Sequence, residues 1–413
     1  MEPKKKMDIV VIGGGAAGYF GAIRAAAMHP DARVTLLEAT RKPLTKVRVS
    51  GGGRCNVTHH CFDPAILVQR YPRGGKELRG AFARFQPKDT VAWFESKGVQ
   101  LKIEGDGRMF PVTDDSKTII DCLEREVETR GVIIKLGNMV RSIVRGPNGF
   151  EINVKIAGDE SIVTADAVLL TTGGMPGGFQ LAGSLGHTIM APVPSLFTFV
   201  VKDSRIDGLS GISFPEVKGE LICGGVTLKQ TGPLLITHWG LSGPVILKLS
   251  AFGARLLHEC DYQAKLHLDF VPHLTALDLE VGLRAEKESR PKQCPANHSL
   301  FKVTRRFWSQ ILPSVGIGPD LPWSDVTRVQ MMQLIDTLKH ATFQISGKGE
   351  FKEEFVTAGG VSLKEIDFRT MQSKICAGLY FAGEILDVDG ITGGYNFQNA
   401  WTTSWIAGSN ILE

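Results

Sequence analysis

The 413-residue sequence has no run of about 18 apolar residues, so no transmembrane helix and no membrane partner is expected. It has no marked excess of either charge. Its 47 Lys plus Arg stand against 43 Asp plus Glu, a formal +4, which is too balanced to argue for nucleic acid. It has no even, closely spaced cysteine set. Seven Cys scattered along a long chain argue against a disulfide scaffold and for a reducing, cytoplasmic setting. The opening MEPKKKM has the basic character of a signal peptide. Asp8 follows it, however, and the short apolar run breaks into glycines without a cleavage site, so no signal peptide is expected. GLSG occurs at 208 and 240, but neither copy is G-x-S-x-G, so a serine hydrolase has little support.

What is present is an ordinary globular composition, 43% hydrophobic and 22% charged, in a chain long enough for two or three domains. The 47 glycines fall in short runs, which points to tight turns and ligand-cradling loops. The stretch MDIVVIGGGAAGYFGAIRAAAMHPDARVTLLEA carries the clearest signal. A short apolar strand, Asp8 to Ile12, runs into G-x-G-x-x-G. The spacing predicts a helix to about His29 and a second strand from Arg33, closed by Glu38 twenty residues after Gly18. Gly13 permits the turn, Gly15 lets backbone approach a pyrophosphate, and Gly18 allows close helix packing. The free amides at Ala16 and Ala17 favour an anion. Glu38, with Ala39 beside it, can accept from an adenosine ribose, which favours FAD or NAD over NADP.

Near the C-terminus, GLYFAGEILDVDGITGGYNFQNAW reads as a strand ending in Gly383-Glu384, a glycine-bearing loop, and a helix from about Tyr395. An acid at a strand end can bond ribityl hydroxyls. Gly393-Gly394, ahead of Tyr395 and Asn396, bares amides where a flavin edge could approach. Between these regions, ADAVLLTTGG reads as a buried strand that returns to the sheet and ends at Thr172-Gly173-Gly174.

Together these segments resemble the glutathione-reductase-type FAD fold. SGGGRCNVTH, GRMFPVTDDS, THWGLSGP, TAGGVSLKEI and the C-terminal stretch resemble more narrowly the flavoproteins described as aminoacetone-oxidase-like or NAD(P)/FAD-dependent oxidoreductases. The resemblance covers nearly the whole chain. It departs where a Gly is expected soon after Ala400-Trp401 and Thr402-Thr403-Ser404-Trp405 stands instead, and across Glu286 to Pro319. It implies that backbone near Val140 meets the adenine.

SGGGRCNVTHHC, Ser50 to Cys61, crowds two thiols and two imidazoles beside three glycines. Its C-x₃-H-H-C spacing fits no familiar zinc pattern, so no metal is expected, and the separation of Cys55 from Cys61 does not suit a redox disulfide. Cofactor contact fits the neighbours better. Gly51, Gly52 and Gly53 let backbone lie against phosphate or ring. Arg54 can neutralise a pyrophosphate or pair with a carboxylate. Asn56 offers donor and acceptor, and Ser50 and Cys55 complete the loop.

Elsewhere DDSKTIIDCLEREVETRG reads as a helix capped by Ser116 and stopped by Gly131. From about Pro192 short β runs alternate with turns. The expected fold class is α/β: a doubly wound, Rossmann-like FAD domain (1–190 and 345–413) with an inserted, barrel-like β domain (191–273 and about 326–344) and a small helical domain (274–325). His238, in ITHWGLSGP, is the candidate catalytic side chain outside the glycine motifs. The expected function is FAD-dependent oxidation or reduction of a small organic molecule: oxidation of an amine or reduction of an enone. The chain has one dinucleotide fingerprint rather than two, so no dedicated NAD(P)H domain is expected, and NAD(P)H is a candidate only as a diffusible electron donor. The alternative is a structural FAD in a protein that binds RNA or protein, supported by the basic start and VTRRFW.

Overall fold

The computed structural model describes residues 6–349 and 356–412; residues 1–5, most of the basic start, lie outside them. The chain forms two compact units, Met1–Pro192 with Val356–Glu413, and Val193–Phe355.

The first unit is built on a seven-stranded sheet. Five strands are parallel, in the order Ile133–Leu136, Arg33–Glu38, Asp8–Ile12, Ala167–Leu170, Leu379–Phe381. The three central strands are apolar along most of their length because both faces are covered: Val10, Val11, Leu36, Leu37, Val168, Leu169 and Leu170 are all buried. The register fixes where the site must lie. Ile12 pairs with Leu37 and with Leu170, and Leu170 pairs with Phe381. The next residues, Gly13, Glu38, Thr171 and Ala382, therefore line up along one sheet edge. The first strand is also where the strand order reverses, which is where such sheets bind ligands.

The first helix, Ala16–Met28, packs against the terminal helix, Tyr395–Asn410. Their approach is close: a Cβ on Gly408 would stand 2.7 Å from the Gly21 carbonyl oxygen. Thr402, Thr403 and Ser404 occupy the place where a glycine was expected. All three are fully buried, and each hydroxyl finds a carbonyl, on Phe85, Asn399 and Ala400 respectively. The sheet is supplemented by an antiparallel meander, Asn138–Gly146, Gly149–Ile156 and Asp159–Ala165.

The helix expected from Asp114 spans Lys117–Thr129. Ser116 does not cap it; its hydroxyl donates to the Arg48 carbonyl, and Asp115 accepts from the Lys117 amide instead.

Behind the sheet, His187 links Glu365 and Ser373. The Ser373 oxygen accepts the amides of Ile375 (3.1 Å) and Cys376 (2.8 Å), so its proton goes to His187 Nε2, and Nδ1–H donates to Glu365. The order mimics a hydrolase relay. The serine is buried with its lone pairs occupied, so the group works as a staple. Burial holds the His187 pKa below its ordinary value, against the pull of Glu365. The unfolded chain then binds the extra proton first. Stability is fully present above about pH 6.5 and falls as the pH drops below it. Thermal melts between pH 7.5 and 5.5 should show this fall, and His187→Gln should flatten it; parallel curves would count against the staple.

The second unit carries an antiparallel seven-stranded sheet in the order Ala341–Ile345, Ala264–Asp269, Ser213–Cys223, Val226–Thr237, Gly240–Ser242, Phe199–Val200, Gly347–Lys348. The two end strands are separated only by Ser346, whose amide donates to the Val200 carbonyl. The chain itself closes the ring. Helices Pro244–Phe252 and Ala254–Glu259 interrupt a stretch read from sequence as β. Ala276–Ser289, Arg305–Ile311 and Arg328–Lys339 are helical, so 326–344 is mostly helix followed by a strand, not β alone. No helix among the described residues is long and apolar enough to cross a membrane.

Candidate dinucleotide site

Each glycine of the first turn has its own steric reason. Gly13 has φ +111°, and a Cβ there would meet the Thr171 carbonyl oxygen at 2.6 Å. A Cβ on Gly18 would stand 1.8 Å from the Gly13 carbonyl oxygen. Gly15 differs. Its backbone is extended, and a Cβ there would have no described neighbour within 4 Å. That open space faces the start of the first helix, where Ala16, Ala17 and Gly18 carry the leading amides. Among the described residues no side chain caps this helix and its first turn holds no acid. An uncapped helix start beside open space is a place for an anion.

Glu38 ends the second strand. One oxygen accepts the Gly14 amide (2.6 Å) and the other the Thr40 amide (2.7 Å). This sets the carboxylate's direction and still leaves lone pairs for a ribose. Ala39 is exposed beside it. Val140 lies in the meander strand Asn138–Gly146, next to a register irregularity; Gly137, just before that strand, donates to the Thr40 carbonyl.

The 50s loop opens as a helix from Thr45. At Ser50 the chain turns extended, and Gly51, Gly52 and Gly53 follow at φ +59°, +71° and +85°. Three successive left-handed residues favour glycine, which accounts for the unbroken run. A Cβ on Gly51 would strike Phe110, whereas Gly52 and Gly53 border open space. Arg54 takes the carboxylate alternative: it pairs with Glu104 (2.6 Å) and Asp114 (3.5 Å) and lies over the Phe110 ring. Cys55 is fully buried, and desolvation pushes its thiol up to about 12, so it is neither nucleophile nor ligand. Asn56, with its amide set to satisfy both atoms, donates to the Thr58 carbonyl and accepts from the Gly394 amide, each at 3.0 Å. This joins the loop to the terminal helix, 338 residues later in the chain (394 − 56). His59 reinforces the joint: Nδ1 bonds the Gly393 carbonyl oxygen (3.1 Å), and the ring stacks on Tyr395. Among the described residues no three His, Cys, Asp or Glu side chains gather as a metal site. All seven cysteines are free thiols.

The remaining edge is made by Gly173 and Gly383. A Cβ on Gly383 would lie 3.0 Å from that of Ala17, and one on Gly173 would lie 3.7 Å from Glu384 Oε2. Gly174 faces Thr357. Glu384 accepts from Lys46 Nζ (2.5 Å) and the Thr357 amide (2.9 Å). Thr172 and Asn399 each hold a buried side-chain oxygen without a hydrogen-bond partner. Asn399 sits one turn before Thr403, whose hydroxyl accepts from the Gly383 amide. Asn396 exchanges two bonds with Gly390. The loop between is held by a buried ion pair, Arg73 with Asp389.

Thus Gly13–Gly18, Glu38, the 50s loop, Gly173, Gly383–Glu384 and Gly393–Asn396 all belong to one unit and gather around one sheet edge. His238 belongs to the other unit, where it and Trp239 form the exposed two-residue turn between Val226–Thr237 and Gly240–Ser242. Sequence reasoning missed Lys46, Arg73 and Asp389. Only the acids of DVDG gave any local sign of that last pair.

Open backbone at Gly15, Gly52 and Gly53, an uncapped helix start, and an unpartnered buried oxygen on Asn399 fit an extended diphosphate with hydroxyl donors. Fold and site together define a class, the FAD-dependent oxidoreductases with a Rossmann-type FAD-binding domain. The chain belongs to the HI0933-like Rossmann family, whose domain matches residues 7–410. It is 31% identical to a 3-dehydro-bile acid delta(4,6)-reductase from Clostridium scindens, over 98% of this chain and 99% of that one. It is 29% identical to a ribosomal RNA dihydrouridine synthase from Escherichia coli, over 99% and 98%. Among solved structures it resembles a 3-ketosteroid-delta4-(5alpha)-dehydrogenase from Rhodococcus jostii RHA1, with a TM-score of 0.51, 14% identity and 98% of each chain covered.

Proposed function

We propose that the protein is an FAD-dependent reductase of a carbon–carbon double bond conjugated to a carbonyl, with NAD(P)H as the diffusible donor. The observation that carries this reading is full-length kinship to two relatives whose named reactions share one bond change. A delta(4,6)-reductase of a 3-dehydro bile acid saturates double bonds in conjugation with a ring ketone. A dihydrouridine differs from uridine by two hydrogens across the ring bond conjugated to a carbonyl. Of the two expectations from sequence, enone reduction is therefore preferred to amine oxidation.

The bound flavin would supply the hydride. The protein's part is to hold and orient. The first helix start and the Gly52–Gly53 backbone take the diphosphate, Glu38 takes the ribose, and Glu384 takes ribityl hydroxyls. The start of the terminal helix would meet the electron-rich flavin edge, where its dipole would stabilise negative charge. RNA enters a second reading as a substrate whose uracil ring presents the enone, favoured by the dihydrouridine synthase relative.

Anaerobic spectroscopy tests this. NADH or NADPH should bleach the yellow protein, and 4-androstene-3,17-dione or a uridine-containing oligonucleotide should restore the colour. Bleaching by small amines, with no restoration by any enone, would reverse the assignment.

A further inference from the structure

Arg70 differs from the other arginines around this site. Arg54 pairs with Glu104, Arg73 with Asp389, and Arg108 with Glu104 and Asp106. Among the described residues no carboxylate lies in ion-pair reach of Arg70, and its Nε is buried without an acceptor.. The acids nearby are occupied: Asp63 caps the Ala65 amide, Asp106 holds Arg108, and Asp389 holds Arg73. A half-buried guanidinium N–H left without an acceptor costs free energy unless a ligand supplies one.

Its position is well defined. The Arg70 carbonyl accepts the Ile391 amide at 2.9 Å, two residues before the Gly393–Gly394 turn. The next residue, Tyr71, has its ring 6.1 Å from that of Tyr395, centroid to centroid. His59 is fixed by the Gly393 carbonyl, and burial, aided by Arg70, keeps its pKa below the ordinary imidazole value. Tyr71 donates to the Tyr395 carbonyl and closes the back of the group. The result is an arginine without a carboxylate partner, next in sequence to the tyrosine that closes the back of the stacked His59–Tyr395 pair.

We propose that Arg70 receives the carbonyl oxygen of the conjugated substrate. This rests on the reading that the Gly393–Gly394 turn meets the flavin and that the reaction is enone reduction. Hydride adds to the carbon far from the carbonyl, the double-bond electrons move toward the carbonyl oxygen, and the near carbon then takes a proton from solvent. Negative charge grows on the oxygen in the transition state, where a fixed guanidinium stabilises it more than in the ground state. The substrate class is therefore an enone whose oxygen, rather than a distant carboxylate, is the anchored group.

The test uses FAD-loaded protein with Arg70→Gln and Arg70→Lys. Both should keep FAD and the wild-type melting temperature. 4-Nitrophenolate, an aromatic oxyanion, should perturb the wild-type flavin band, with binding roughly 10- to 100-fold weaker in R70Q and intermediate in R70K. Enone-driven reoxidation of the reduced flavin should slow by a similar factor, with kcat falling rather than KM alone rising. Wild-type behaviour of R70Q in both assays overturns the proposal, as does a wild-type protein that binds no oxyanion. If oxyanion binding depends on Arg70 but no enone reoxidises the flavin, the enone reading falls and the anion site stands.

Discussion

Gly15→Val yields a folded protein that has lost its yellow colour. Gly15 has φ −86° and ψ −171°, a conformation open to any residue, and a side chain there meets nothing within 4 Å. The apoprotein should therefore lose no more than about 1 kcal/mol, the usual difference between N-cap residues. On the proposed reading, the same side chain fills the space by which a diphosphate would approach the first helix. FAD affinity should fall by about 100-fold or more, roughly 3 kcal/mol. Titrating deflavinated protein with FAD by fluorescence quenching, beside a melt of the apoprotein, separates the two effects. A variant as yellow as wild type would place the diphosphate elsewhere. Gly18→Ala offers no such separation, because its Cβ would collide with the Gly13 carbonyl whether or not a ligand is present.

Asp389→Ala should be the most destabilising single change in the glycine-bearing loop. The Asp389 side chain is fully buried, and that of Arg73 is 11% exposed. Removing the carboxylate leaves a cation in low dielectric, at a cost of about 3–5 kcal/mol. The double variant Arg73→Met/Asp389→Ala should recover part of this, since neither charge then remains. Urea unfolding checks both. A single variant within about 1 kcal/mol of wild type would mean that water or a neighbour takes over the carboxylate's role.

Backbone demands were the most legible part of the site. Gly13, Gly18 and Gly51 stand where a Cβ would collide with a neighbour, and Gly52 and Gly53 continue a left-handed run that glycine favours, so residue type records conformation directly. Glu38 was legible because the strand–helix–strand spacing is short-range. Pairings across the chain were not. Arg54 meets Glu104 and Asp114, fifty and sixty residues away, and nothing local distinguishes that use from phosphate binding. Ser116 looks like a cap, yet tertiary contact with Arg48 turns its hydroxyl elsewhere. Pro244–Phe252 was missed because a short apolar run has no period that separates a buried helix from a strand. The unpaired state of Arg70 is a property of its surroundings, so no motif announces it.

The chain leaves the first unit through Ile189–Ser195 and returns through Val356–Val361, and these two strands pair with each other. Paired strands lie about 4.8 Å apart, so the stem is already closed before anything is inserted beyond it. A segment spliced at such a stem adds little loop-closure entropy and leaves the dinucleotide half as it was. The inserted module can therefore be exchanged without redesign of the sheet that carries it.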